Sequence, residues 1–407
     1  MTTLADSQAL LLQLLDPSVR ADPYPVYAQL RDRGPLQLPD ANLVVFSSFT
    51  DCDAVLRHPA SASDGMKSTV AKRNIAAGVT TRPFGKPGFL FLDSPDHTRL
   101  RKLASKAFAP RVVRELEPYI TGLVSSLLDD VEGRGTFEVI SDLAYPLPVA
   151  VICRLLGVPI EDEPEFSRAS ALLAQSLDPF VAFTGEPSES FAERMAAALW
   201  MREYLRNLVD ERRGDPGDDL MSGLIAVEEA GDQLTEEEIV ATCNLLLVAG
   251  HETTVNLIAN AILALLRHPA QWTMLTSDPS RAGAVVEETL RYDPPVQMIG
   301  RVAAEEMTIG DVTVPKGDMM MLLLAAAQHD ADANERPDEF DPERKSLRHL
   351  AFGHGPHFCL GAPLARLEAA AALTAVTARF PDARLAGEPE YKPNVTLRGM
   401  SSLPVAF

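Results

Sequence analysis

Cys359 stands in the run Phe352-Gly-His-Gly-Pro-His-Phe-Cys-Leu-Gly361, and several features of that run bear on its chemistry. Glycines at 353, 355 and 361 can take tight positive-φ turns and let a flat group approach the backbone closely. An Ala/Leu-rich stretch follows to about position 380, with Pro363 acceptable in a first helical turn, so a helix is expected to start just after the cysteine. Exposed N–H groups and the helix dipole there favour an anion and should lower the thiol pKa. His354, His357 and Phe358 crowd the same loop. Such a thiolate can serve as a nucleophile, a metal ligand or the axial ligand of a haem iron, and the loop alone leaves these open.

A second group of reactive types lies in Ala249-Gly-His-Glu-Thr-Thr254, small and polar residues set inside an apolar helical pattern. Leu245, Ala249, Glu252/Thr253 and Asn256 recur at spacings of three and four, which places them on one helix face. Glycine and threonine are poor mid-helix residues, and such local conflicts fall preferentially at functional sites. Two further pairs are spaced for one helix face: Glu288 with Arg291, and His97 with Arg101. The first can form an ion pair; the second can hold an anion.

The elements that must carry these residues are mostly helical. Apolar periodicity predicts helices over 23–33, 51–57, from Asp96, and over 112–132, 143–156 and 193–213. The longest should begin at the capping box Thr235-Glu-Glu-Glu238 and run to Arg267, stopped by Pro269. At about 1.5 Å per residue it would span roughly 50 Å, enough to cross the whole molecule. Strands are expected at 43–46, 307–309, 312–314 and 319–323. Residues 61–92 read as one long irregular loop, and 177–190 as a second interruption. The expected fold is mainly α with small peripheral β-sheets, in a single domain over 1–407, since no linker, repeat or low-complexity tract divides the chain.

Bulk properties narrow the function. A net charge of −20 argues against nucleic acid, whose phosphates need clustered Lys and Arg. The apolar run 9–15 is too short to span a bilayer and no basic region precedes it, so no membrane anchor or secretory signal is expected. Four cysteines, sparse and irregularly spaced, fit a reducing cytoplasm.

The cysteine run is similar to the haem-binding loop of the cytochrome P-450 family, Phe-Gly-x-Gly-x-His/Arg-x-Cys-x-Gly, filled here by Phe352, Gly353, Gly355, His357, Cys359 and Gly361. The helix run resembles that family's Ala/Gly-Gly-x-Asp/Glu-Thr stretch, and Glu288/Arg291, followed by Pro294-Pro295, its Glu-x-x-Arg helix. One departure is Gln328-His-Asp330, where related bacterial sequences often carry Asn-Arg-Asp.

The resemblance implies a soluble bacterial-type haem-thiolate monooxygenase, with haem b between the long central helix and the cysteine-loop helix. Cys359 would be the iron ligand. His97, Arg101, Arg301 and His357 would meet the propionates, with Phe352 and Gly361 completing the cofactor loop. Ala249 and Gly250 would make room for O2, and Glu252 and Thr253 would relay protons. Arg344, or His349 in its place, would join Glu288 and Arg291 in a network steadying the cysteine loop. His251 receives no role.

The resemblance further implies that electrons come ultimately from NAD(P)H through a separate ferredoxin reductase and ferredoxin. Arg99, Lys102, Lys106, Arg348 and Arg366 would form the docking patch. The substrate pocket should draw on the 61–92 and 177–190 segments and on Leu245, Val248, Val296, Met298 and Ser401, which favours a hydrophobic lipid, steroid, terpenoid or macrolide. A monomer is expected. The competing readings are a zinc protein using His354, His357 and Cys359, which lacks a fourth ligand, and a non-catalytic haem-binding or sensing protein, which would not need Glu252 and Thr253.

Overall fold

The helix Glu236–Arg267 runs through the middle of the protein, packed against Pro146–Leu156, Glu163–Ala174, Phe191–Gly214 and Ala362–Arg379. This computed structural model describes residues 4–78, 85–174, 191–229 and 234–407. The capping box forms: Thr235 Oγ1 accepts from Glu238 N at 3.4 Å, and Glu238 Oε2 accepts from Thr235 N at 3.0 Å. Over its 32 residues the helix is long and apolar enough to cross a bilayer, yet 67% of its apolar window is buried inside the protein. It is a core helix.

One large apolar cluster surrounds it, drawing Ile120, Val124 and Leu128 from Pro110–Asp129 and Ala369, Ala372 and Leu373 from Ala362–Arg379. A five-stranded sheet lies beside this helical mass, in the order Leu36–Leu38, Leu43–Phe46, Met319–Leu322, Ile299–Ala303, Ser61–Ala62. Leu43–Phe46 pairs in parallel with Met319–Leu322, Leu43 opposite Met319, and the other neighbours are antiparallel. The remaining strands make a three-stranded sheet and two hairpins. Mainly α with small peripheral sheets is therefore the observed fold.

The 61–92 stretch is less irregular than its glycines and prolines imply. Ser61–Ala62 joins the sheet, and Thr69–Ala76 is a helix whose N-cap, Ser68, accepts from Ala71 N at 3.0 Å. The Ser68-Thr69 start is a local cap signal that the flanking loop composition concealed. The 177–190 segment and residues 79–84 lie outside the described residues. The Gln328-His-Asp330 departure builds a hydrogen-bonded hub. Gln328 Oε1 accepts from Leu350 N at 3.2 Å, His329 Nδ1 meets Asp338 and Nε2 meets the Tyr292 carbonyl (both 2.8 Å), and Asp330 Oδ2 accepts from Phe49 N at 2.9 Å.

Candidate functional site

The cysteine loop is shaped by two glycines. Gly353 and Gly355 hold φ of +67° and +70°, and a Cβ on Gly355 would sit 2.7 Å from the Leu56 carbonyl oxygen. Gly361 differs from expectation: its φ is −81°, and a Cβ there would be 3.8 Å from Phe108. It needs no left-handed backbone. Cys359 N donates to the Phe352 carbonyl at 2.8 Å, and the helix begins at Ala362 with Pro363 in its first turn.

Burial raises the Cys359 thiol pKa, while the N–H groups of Gly361 and Ala362 and the Arg101 and Arg366 charges act in the lowering direction. The expected depression by the helix terminus is thus outweighed by desolvation. A bound metal cation would reverse the balance, because coordination deprotonates a thiol.

Around this loop, donors converge. The His97 and His357 rings lie 4.0 Å apart between centroids. His97 Nε2 and His357 Nδ1 are buried with no hydrogen-bond partner. Burial, then its neighbouring His97 and Arg301, pushes His357 down to about 3. Burial also pushes Arg301 down to about 10, opposed by Asp93, and Arg301 donates to the Gly300 carbonyl at 2.9 Å. Arg101 donates to the Phe358 carbonyl. Asp93 is the carboxylate near this set, at 4.0 Å from His357 Nε2, and is already engaged by Lys67 at 2.7 Å and Ser63 N at 2.8 Å. Two imidazoles, each with an orphaned nitrogen, and two guanidiniums beside them suit a cofactor that brings its own two carboxylates, as haem does.

Behind the loop, Glu288 and Arg291 are fully buried and paired twice, Nη2–Oε1 at 2.8 Å and Nε–Oε2 at 2.9 Å. Arg344 Nε adds a third contact to Glu288 Oε1 at 3.0 Å. His349 does not substitute for it: its Nε2 lies 3.0 Å from Glu287, which Arg366 also grips with Nε at 2.5 Å. Arg366 sits over the Phe352 ring at 4.6 Å, tying that second network to the cysteine loop. Only the adjacent glutamate in Glu287-Glu288 hinted at it in the sequence.

On the long helix, Thr253 Oγ1 donates to the Ala249 carbonyl at 2.7 Å. Glu252 is ion-paired to Lys392 at 2.8 Å, a partner sequence reasoning missed, since nothing local marks it. A Cβ on Gly250 would meet Ile152 Cδ1 at 3.3 Å, so its bare Cα lets Ile152 pack closely on that side of the helix. Leu245 faces the 85–92 segment, where a Cβ on Gly88 would come within 2.6 Å of Leu245 Cβ. Val248 is half-buried and Val296 bridges to Leu397. Met298 is a correction. It is fully buried in a separate cluster with Leu10, Leu11, Val26 and Met321, on the sheet face that the N-terminal helices cover. Ser401 Oγ donates to the Glu390 carbonyl at 3.3 Å within its hairpin. The docking patch also thins, because Arg99 is bound twice to Glu238 at 2.8 and 3.2 Å, and Arg366 to Glu287.

The sequence model of the family described as Cytochrome P450 matches residues 53–278 and 282–392. The chain belongs to the cytochrome P450 family. It is similar, at 67% identity with a TM-score of 0.94, to the ligand-free structure of CYP164A2 from Mycobacterium smegmatis, over 98% of this chain and 100% of that one. The Vitamin D(3) 25-hydroxylase of Pseudonocardia autotrophica is 40% identical over 95% of this chain and 94% of its own length. The monooxygenase PikC of Streptomyces venezuelae is 39% identical over 100% and 96%. This P450 is accordingly a monooxygenase of that family, whose cofactor is haem.

Proposed function

We propose that this P450 oxidises a hydrophobic small molecule, by hydroxylation or epoxidation, with electrons delivered singly from NAD(P)H through a separate ferredoxin reductase and ferredoxin. The observations that carry it are the cysteine loop of Cys359 with the orphaned His97 and His357 nitrogens, and the Glu252–Thr253 pair on the apolar long helix. Bound haem supplies the activation of O2 and the transfer of one oxygen atom to a C–H or C=C bond.

The chain supplies the rest. Cys359 sulfur would hold the iron, and the Gly361 and Ala362 N–H groups would restrain the charge on that sulfur. His97, Arg101, Arg301 and His357 would take the two carboxylates. The Glu288–Arg291–Arg344 network would hold the segment leading into the loop. Glu252 keeps Oε2 on Lys392 and has Oε1 to pass a proton towards Thr253 Oγ1, whose hydroxyl must first leave the Ala249 carbonyl.

The apolar character of Leu245, Val248 and Val296 supports a lipid, steroid, terpenoid or macrolide class of substrate, as does the activity named for the Pseudonocardia relative. Lys102, Lys106 and Arg348 remain as the docking cations for an acidic ferredoxin. We read the chain as one domain of 407 residues acting as a cytoplasmic monomer, in keeping with its four free cysteines. Titrating the ferric holoenzyme with a compound library, followed by the visible spectrum, tests the substrate class. Apolar compounds should shift the spectrum; a response confined to charged, hydrophilic compounds would overturn the reading.

A further inference from the structure

Between Gly65 and Leu92 the chain carries Lys67, Lys72, Arg73, Arg82 and Lys86 and neither Asp nor Glu, although the whole protein has a net charge of −20. This acid-free stretch is anchored at both ends beside the site. Near its start, Thr69 N donates to the Gly317 carbonyl at 2.8 Å, and Lys67 reaches Asp93, the carboxylate beside His357, at 2.7 Å. Near its end, Gly88 lies on the long helix: a Cβ there would stand 2.6 Å from Leu245 Cβ and 3.0 Å from the Ala241 carbonyl oxygen. Phe89 follows, buried, with its ring centroid 6.4 Å from that of His97. The stretch thus connects the paired histidines with the helix face of Leu245.

Between those anchors stands the helix Thr69–Ala76, none of whose residues is buried. So short a helix is marginal by itself, and this one gains little from packing. Exposed Ile75 lies three positions from exposed Lys72, so an apolar and a cationic side chain share one face. Two of the cations are committed, Lys67 to Asp93 and Lys86 to Glu238 at 3.6 Å. Lys72 and Arg73 make no ion pair among the described residues. A merely solvated helix face usually alternates charges of both signs, whereas no acid interrupts this one. The rest of so acidic a surface repels anions, and these two cations reverse that field locally.

We propose that Lys72 and Arg73 form an anion-recognition site for the substrate, and that the substrate is an amphipathic carboxylate. Its apolar body lies against the Leu245 and Val248 side of the long helix, and its acid group is held by the two cations. Arg73 offers a planar fork that matches a carboxylate, and Lys72 adds a point charge. Ile75 covers the carbons next to the acid. Because both cations stay in water, their hold on the acid is modest and falls with salt. The inference rests on the hydrophobic-substrate reading and adds a charge at one end of that molecule.

The test titrates the ferric holoenzyme, at neutral pH, with dodecanoate, lithocholate and abietate, each beside its methyl ester. Binding is read from the visible spectrum and, independently, by calorimetry. At least one acid should bind more tightly than its ester, and that advantage should shrink as salt rises from about 0.05 to about 0.5 M. The double variant Lys72→Gln/Arg73→Gln should weaken that acid about 5- to 30-fold and leave the ester unchanged. Arg114→Gln, which removes an exposed cation from the helix Pro110–Asp129, should alter neither. Neither Lys72 nor Arg73 is buried, so the double variant should keep its Tm and haem content. If no acid binds, if every ester matches its acid, or if the double variant keeps the advantage, the anion site is wrong. In those cases apolar esters that still bind leave the hydrophobic-substrate reading standing, whereas binding confined to hydrophilic compounds ends both. A double variant that binds the acid normally but accepts electrons more slowly from ferredoxin would assign the patch to a protein partner and overturn the proposal.

Discussion

Replacing Glu288 by glutamine removes one charge and almost no volume, at a place where two guanidiniums depend on it. Glu288 and Arg291 have no exposed side-chain surface and Arg344 has 4%. Glu288 Oε1 also accepts from Asp341 N at 2.8 Å, and Arg291 is bound further to the carbonyls of Pro337 at 2.6 Å and Glu339 at 2.9 Å. Neither arginine can turn to water when the carboxylate goes. Breaking a buried pair from one side costs about 3–5 kcal/mol. At roughly 2.1 cal/mol/K per residue, 407 residues have an unfolding entropy of about 0.85 kcal/mol/K, so a loss of ~4 kcal/mol lowers Tm by about 5 °C. Because Arg344 precedes the cysteine loop, haem content per chain should fall as well. Thermal melting of the holoenzyme and haem quantification check both. The exposed pair Arg111–Glu115, with side chains 84% and 61% accessible, is the control, and Glu115→Gln should leave Tm unchanged. A Glu288→Gln shift below about 1 °C with normal haem content would refute the reasoning.

Three other outcomes are expected. Cys359→Ser should lose the thiolate-specific spectrum of the reduced carbon-monoxide adduct while keeping the secondary structure, which visible and far-ultraviolet spectra would show together. Gly355→Ala should destabilise the loop by more than ~1 kcal/mol, because φ is +70° and the new methyl meets the Leu56 carbonyl; denaturant titration measures it. Burial alone raises the Glu368 carboxyl from its ordinary 4.5 to about 8. Its contribution to stability is full below 4.5 and is lost as pH rises through about 8, whereas glutamine has no proton to lose. Glu368→Gln should therefore gain Tm relative to the parent between about pH 5 and about pH 9, and a constant difference would count against it.

Much of the site was readable because its signals are local. The capping box of Thr235 and Glu238, the Thr253–Ala249 bond and the Glu288–Arg291 pair each join residues within four positions of one another, so spacing alone implies them. The positive φ of Gly353 and Gly355 was likewise written in residue type, though Gly361 shows that a glycine in the same loop can serve without it. The helix Thr69–Ala76 was missed because loop composition on both sides outweighed a single cap.

Residue order by itself determined where helices start and stop, which side chains share a helix face, and that a cysteine would sit just before a helix N-terminus. These follow from backbone geometry over a turn or two. Only the tertiary structure decided that Met298 faces the N-terminal helices, that Gly250 serves packing against Ile152, that Arg99 goes to Glu238, and that Lys392 reaches Glu252 across 140 positions. Those choices depend on which surfaces exclude water from one another, and on where a charge finds its partner once they have. The thiol of Cys359 is the clearest case: its place at a helix start was local, but the burial that governs its proton comes from the whole fold.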